Sequence, residues 1–345
     1  MRTVLVVRLD SVGDVLLAGP AVRAVAAAPD VDRVVLLCSP AGAPAGELLP
    51  GIDRIVVWRC PWIDASPDAV EQGDIADITA RLAAERIDTA VVLTSFHQSP
   101  LPTALLLRLA GVRRIGAVSV DYPGALLDVR LRPCLDLTED QPEASRALAV
   151  ATALGFVPPA GDDGRLALGA LPDVARLSLP ARYVVVHPGA SVPARAWPPA
   201  SNAAAVTALA ATGHAVVVTG GPDETALTAA VTGRAGIDLG GRTTLAELAA
   251  VLAGATAVVV GNTGPAHLAA AVGTPVVSLF APVVPALRWA PHGVPRIVLG
   301  DQAAPCRDTR ARVCPVPGHP CLATVTADDV VEAVSRLTLT APRQR

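Results

Sequence analysis

The sequence contains no lysine: its 28 basic side chains are all arginine, set against 31 acidic ones, for a net charge of −3. A chain so close to neutral is not built to grip nucleic acid or an anionic membrane. Any fixed cation that a site requires must be a guanidinium. Aromatic residues make up only 3% and methionine occurs once, so the cores must be assembled from Ala, Val and Leu. No uninterrupted apolar run reaches about 18 residues, which argues against a membrane-spanning helix. The opening MRTVLVVRLD is interrupted by Arg8 and Asp10 and has no small-residue cleavage site after it. It reads as a first strand and not as a leader, and a cytoplasmic location is the expectation. The six cysteines form no CxxC pair. Cys38, Cys60 and Cys134 are scattered, while Cys306, Cys314 and Cys321, with His319 nearby, follow a C-x7-C-x6-C spacing that zinc knuckles do not use. Reduced structural thiols are the expectation there, with a disulfide or a metal as the open alternatives. Nor does any GxGxxG follow the first strand, which counts against a dinucleotide dehydrogenase.

With 52% hydrophobic residues in 345, the chain can fill about two domains. Its most informative stretch is AVVVGNTGPAHLAAAVGTP, Ala257 to Pro275. Ala257 to Val260 suits a strand buried on both faces of a parallel sheet. Gly261 to Pro265 breaks the run, and Ala266 to Val272 reads as a small-residue helix with Pro265 in its first turn. Such a corner aims unpaired N–H groups and the positive end of a helix dipole beyond the strand, which suits a phosphate; an ordinary βα turn has the same outline. A second corner opens the chain, where strand Thr3–Val7 leads through Arg8 to Asp14 into a helix from Val15. Asp10 or Asp14 there could cap the helix or act as a catalytic carboxylate.

Further strands are expected at Val34–Cys38, Arg54–Trp58, Thr89–Thr94 and Arg114–Val118, with helices over 77–85 and 101–110. Alternating β and α segments imply parallel, doubly wound sheets. The loop Thr94–Pro100 then lies at a strand's carboxyl end, where Ser95, His97 and Gln98 suit a hydroxyl-rich ligand. Pro and Gly cluster from Val157 to Pro180 and mark a domain boundary. The second half restarts with Tyr183–Val186, a helix near 201–211, the strand in HAVVVTGGPDE, a helix from Thr225, and Leu245–Ala253. Strand Pro275–Phe280 and a last helix over Ala327–Leu337 complete it. The division is set at 165, giving 1–165 and 166–345.

Five segments together carry a resemblance. RLDSVGDVLLAGPAVRAV, HPGASVPARAWP, TGGPDE, GNTGPAHLAAAVGTPVVSLFAP and CPVPGHPCL resemble, in order, motifs of glycosyltransferase family 9, the ADP-heptose heptosyltransferases and their relatives. The resemblance spans nearly the whole chain. It implies a GT-B fold: α/β, with two Rossmann-like parallel-sheet domains facing an interdomain cleft. The N-terminal domain would bind acceptor and the C-terminal one nucleotide sugar, with the final helix packing back on the N-terminal domain.

Carried onto this sequence, the family pattern makes Asp14 the general base of an inverting transfer. It makes Arg195 a catalytic cation, where the family commonly has lysine. His187, Ser191, Glu224, Asn262, Thr263, Gly264 and His267 would bind the donor, and Asp10, Ser95, His97 and Gln98 the acceptor. His214 and His292 are read as structural. Asn262 departs from the family's usual aspartate and leaves the donor sugar open. The chemistry implied needs neither cofactor nor metal. A heptose would pass from ADP-heptose to a hydroxyl of a glycolipid or glycan, as in lipopolysaccharide biosynthesis at the cell envelope, with peripheral membrane contact left open and no nucleic acid partner. The alternatives are a GT-B sugar-nucleotide 2-epimerase and a non-catalytic module that binds nucleotide sugars.

Overall fold

The computed structural model describes residues 2–340, which divide into two compact units between Gly169 and Ala170. The first carries strands β1 (Thr3–Arg8), β2 (Arg33–Cys38), β3 (Arg54–Val57), β4 (Thr89–Val92), β5 (Arg114–Val118) and β6 (Val129–Leu131). The second carries β7 (Val184–His187), β8 (Val216–Val218), β9 (Ile237–Asp238), β10 (Ala257–Gly261), β11 (Val276–Leu279) and β12 (Arg296–Leu299). The sheet orders are β3-β2-β1-β4-β5-β6 and β12-β11-β10-β7-β8-β9, and every pairing is parallel. Counted within its own unit, each sheet therefore has the order 3-2-1-4-5-6 of a doubly wound fold. Each reverses direction between its first and fourth strands, and a crevice opens outside the carboxyl ends at that point. In the first unit the crevice lies between β1 and β4, in the second between β7 and β10.

The central strands are runs of Val, Leu and Ile because helices cover both of their faces, leaving no face for polar side chains. In the first unit Leu5, Val7, Val35, Leu37 and Val92 pack against Ile78, Leu82, Ala104 and Leu107, from the helices Gln72–Ala84 and Leu101–Leu109. Helices Gly19–Ala26 and Glu143–Ala153 pack on each other, and the latter on β4, β5 and β6. In the second unit Val184, Val186, Val216, Val218, Val259 and Val277 meet Val206 and Leu209 of helix Pro199–Ala211, and Val330, Val334 and Leu337 of helix Ala327–Thr340. That last helix packs on Pro199–Ala211 and on β10, β11 and β12 of its own unit.

Several local expectations are corrected. The helix expected from Val15 onward is two helices, Val12–Leu17 and Gly19–Ala26. Pro20 accounts for the break, since it has no N–H and its ring collides with the carbonyl four residues back. Neither Asp10 nor Asp14 is the N-cap; Ser11 is, and Asp14 sits at the third helical position, where its carboxylate accepts from the Ser11 N–H at 3.3 Å. The helix expected over 77–85 begins earlier, at Gln72. The short strands β6, β9 and β12 carry no expectation from sequence. All three are sheet-edge or near-edge segments of two to four residues with half-buried or exposed side chains, too short for a period-two pattern. Among the described residues no helix is long and apolar enough to cross a membrane.

Candidate functional site

The crevice of the first unit is built around an arginine. Arg8 ends β1 and is 4% exposed. A buried guanidinium is tolerated only when its donors are met by acceptors. Here Nε lies 3.1 Å from Asp10 Oδ2, and Nη2 donates to Asp14 Oδ1 at 2.7 Å and to Ser95 Oγ at 2.8 Å. The second Asp14 oxygen accepts from Ser11 Oγ at 2.8 Å. Gln98 closes the ring: its Nε2 donates to Asp10 Oδ1 at 2.5 Å while its Oε1 accepts from the Ser95 N–H at 2.8 Å. The structure thus gathers Asp10, Asp14, Ser95 and Gln98 at the β1/β4 switch point. His97, on the same loop, is exposed, and its imidazole stands edge-on to Phe96 with ring centroids 5.3 Å apart.

Burial and charge act on Arg8 and Asp10 in opposite senses. Burial pulls the Arg8 pKa down, but the charges of Asp10, Asp14 and Glu143 outweigh it, so the guanidinium is held more firmly charged than usual. Burial pushes the Asp10 carboxyl above the ordinary range and the neighbouring Asp14 adds to the rise, against the opposing pull of Arg8 and the Gln98 hydrogen bond. The ring is backed by residues that the sequence reading passed over. Arg146, 5% exposed on the helix Glu143–Ala153, donates through Nη1 to the Thr94 carbonyl at 2.7 Å and lies 3.6 Å from Glu139. Arginine at a strand's last residue and arginine inside an Ala-rich helix were the available signals, but the Ser95 partner of Arg8 and the Thr94 partner of Arg146 are 87 and 52 residues away.

In the second unit the crevice is formed by the loops after β7 and β10. His187 ends β7, in register with Val260 on β10, which places it one strand away from the Gly261–Thr263 turn. It is buried, with Nδ1 3.0 Å from Thr219 Oγ1 at the end of β8 and Nε2 3.9 Å from Glu224. Burial lowers the His187 pKa below its usual 6.5, only partly countered by Glu224. Glu224 turns back onto its own loop: Oε2 accepts from the Gly221 N–H at 2.8 Å. Its carboxylate also fills the space above Gly189, where a Cβ would come within 2.0 Å of Oε1. That contact explains the glycine in HPGAS.

The β10 corner has the expected form and starts slightly early. Thr263 is the N-cap, in extended conformation, of the helix Gly264–Ala271, with Pro265 in the first turn. Asn262 is 3% exposed, yet its Nδ2 has no hydrogen-bond partner among the described residues, and neither does the buried Oγ1 of Thr263. Beside them Ser278, fully buried on β11 and in register with Val260, has an unpartnered Oγ as well; sequence reading had not singled it out. Unmade hydrogen bonds of this kind cost about 1–3 kcal/mol each. His267 is buried on the same helix, and the Arg195 carbonyl abuts Gly261, 3.2 Å from where a Cβ would lie. The structure therefore brings Asn262, Thr263, Gly264 and His267 into one corner, with His187 and Glu224 on the neighbouring loops. Arg195 is half-buried and its backbone borders this corner, whereas Ser191 is exposed.

Among the described residues no group of three His, Cys, Asp or Glu side chains has the spacing to hold a metal ion, and all six cysteines are free thiols.

Two doubly wound units, each with a polar cluster at its switch point, form the α/β architecture of GT-B glycosyltransferases. Comparison with known proteins gives the same answer. The chain belongs to glycosyltransferase family 9 (heptosyltransferase), whose sequence profile matches residues 112–318, and it is accordingly a glycosyltransferase. No curated protein sequence matches it. Solved structures do. ADP-heptose lipopolysaccharide heptosyltransferase II of E. coli aligns at TM-score 0.72 and 21% identity, over 98% of this chain and 99% of that one. A glycosyl transferase family 9 protein of Veillonella parvula aligns at 0.76 and 17%, over 99% and 98%. E. coli heptosyltransferase WaaC, solved with ADP-2-deoxy-2-fluoro heptose, aligns at 0.70 and 22%, over 97% and 99%.

Proposed function

We propose that the protein transfers a sugar, with inversion, from a nucleoside diphosphate donor to a hydroxyl of a glycolipid or glycan, and that the donor is ADP-heptose or a close relative. The observation that carries this reading is the pair of buried, unpartnered groups at the β10 corner, Asn262 Nδ2 and Thr263 Oγ1, at the start of the helix Gly264–Ala271. Polar atoms left unpaired at a helix N-terminus are accounted for when a bound anion completes them. The ADP-sugar solved in E. coli WaaC supports a nucleotide sugar as that ligand.

In this scheme the donor diphosphate lies against the β10 corner, with Arg195 and His267 beside it, and His187, Ser191 and Glu224 border the nucleotide. The acceptor sits by the first unit's ring, near Asp10, Ser95, His97 and Gln98. Asp14 takes the proton of the acceptor hydroxyl as its oxygen bonds to the anomeric carbon. The bond from that carbon to the diphosphate oxygen breaks, and the leaving group departs with the electron pair. Arg8 and Ser11 hold both Asp14 oxygens in place, which serves a base that must meet one hydroxyl at hydrogen-bond distance. The helix N-terminus and the Arg195 guanidinium are fixed positive groups suited to the charge that develops on the diphosphate. Asn262, neutral where the family motif has aspartate, presents its buried amide donor at the same corner.

The test is release of ADP from ADP-heptose by the purified chain, with and without a lipopolysaccharide core acceptor. Acceptor-stimulated release with an inverted product supports the proposal. Binding of ADP-heptose without turnover on any acceptor offered would point instead to a module that only senses the nucleotide sugar.

A further inference from the structure

The segment Cys306–Leu322, which contains CPVPGHPCL, has no part in the scheme above, yet it holds the segment that carries Arg195. Both polar backbone groups of Ala194, the residue before Arg195, are engaged by it. The Ala194 N–H donates to the Arg312 carbonyl at 2.9 Å, and the Ala194 carbonyl lies 3.0 Å from His319 Nε2. A carbonyl only accepts, so His319 carries its proton on Nε2 and donates. Two residues after Arg195, the Trp197 indole N–H donates to the Leu322 carbonyl at 3.1 Å. Arg195 is thus bracketed on both sides by hydrogen bonds to one loop.

That loop is itself tied down. The Asp308 and Arg310 N–H groups donate to the carbonyls of Pro282 and Val283, just beyond β11, at 2.9 and 2.8 Å. Cys306 and Cys321 are both buried at its base, thiol hydrogen-bonded to thiol, and burial pushes the Cys321 thiol up to about 12. Both side chains belong to the unit's hydrophobic core and fix the ends of the loop. His319 adopts a left-handed backbone, φ +50°, which a side chain with a Cβ rarely takes. That conformation directs the imidazole to Ala194.

We propose that the segment Cys306–Leu322 is a brace that sets the position of Arg195 toward the donor diphosphate, with His319 as its positioning residue acting through the Ala194 carbonyl. This rests on the proposed function, because the ligand that reads the position of Arg195 is the nucleoside diphosphate.

The test is calorimetric titration of the full chain with ADP, together with KM for the donor sugar nucleotide and kcat. His319→Ala is expected to weaken ADP binding about three- to tenfold, the scale of one net hydrogen bond, and to raise donor KM more than it lowers kcat. His319→Gln, which can donate from a similar place, is expected to recover most of the loss. In an Arg195→Ala background His319→Ala is expected to cost little more, because the two act on the same ligand group. Trp197→Phe removes only the indole donor and is expected to shift ADP affinity the same way, so it serves where His319→Ala does not fold. Unchanged ADP affinity in folded His319→Ala and Trp197→Phe, or full additivity with Arg195→Ala, overturns the brace. If Arg195→Ala itself leaves ADP binding unchanged, the diphosphate role assigned to Arg195 in the proposed function fails instead.

Discussion

Replacing Asp14 with Asn leaves the size of the side chain unchanged and removes its ability to take a proton. In the folded protein one carboxylate oxygen receives the Arg8 guanidinium at 2.7 Å and the other receives Ser11 Oγ at 2.8 Å and the Ser11 N–H at 3.3 Å. Asparagine can keep its oxygen on Arg8, but its NH2 then faces the Ser11 N–H, so one cap bond is lost. The structural cost is about 1 kcal/mol, the usual value of a helix cap. It is contained because Arg8 keeps Asp10 at 3.1 Å. The catalytic cost is larger. Loss of a positioned general base reduces turnover by about 10²–10⁴-fold, which corresponds to about 3–5 kcal/mol of barrier. ADP affinity is expected to stay within about twofold, since the groups proposed to seat the diphosphate belong to the other unit. The assay is acceptor-dependent ADP release at saturating donor, with circular dichroism and ADP titration as controls. A folded Asp14→Asn variant that turns over within about threefold of the parent refutes the assignment and moves the base to Asp10 or to a water held by the ring.

Three other predictions concern the second unit. Arg195→Ala is expected to weaken donor binding and turnover together, read as a rise in KM with a fall in kcat of about tenfold or more, because the cation serves both the bound diphosphate and the departing one. Burial holds the His187 pKa below 6.5, so the folded protein resists the proton that the unfolded chain accepts. Its contribution is full above about pH 6.5 and is lost as pH falls below that value, by at most about 1.4 kcal/mol per pH unit. Thermal unfolding from pH 8 to pH 5 is expected to show a shallower acid-side loss in His187→Gln than in the parent. Gly189→Ala brings a methyl within 2.0 Å of Glu224 Oε1. It is expected to push the flexible Glu224 carboxylate off the Gly221 N–H and to cost about 0.5–1.5 kcal/mol, the net value of that hydrogen bond, read in a melting experiment, and in a Glu224→Ala background Gly189→Ala is expected to cost little more.

What the sequence made legible was local and periodic. The β10 corner could be read from a short β-branched run, a Gly-Asn-Thr-Gly break and a proline in a first helical turn, all within one segment. The same reasoning located β1, β2, β4, β5, β7 and β11, because strands buried on both faces leave an unbroken apolar signature. It did not reach β6, β9 and β12, whose formation depends on a neighbouring strand already being in place. At the site, the family motifs pointed to Asp14 and to the residues around Asn262, but not to Arg8 as the hub. The Arg8 partner Ser95 is 87 residues away, and no local pattern reports such a contact. The brace was hidden for the same reason, since Ala194 and His319 are separated by 125 residues.

The most direct measurement is calorimetry of the purified chain against ADP, UDP, GDP and dTDP, with NAD as a control. Selective ADP binding, weakened in Arg195→Ala and retained in Asp14→Asn, is the expected result. It would identify the β10 corner as the diphosphate seat of an ADP-sugar transferase. Preference for UDP would contradict the ADP-heptose donor, and failure of every nucleoside diphosphate to bind would contradict the proposal that the buried, unpartnered groups of Asn262 and Thr263 receive one.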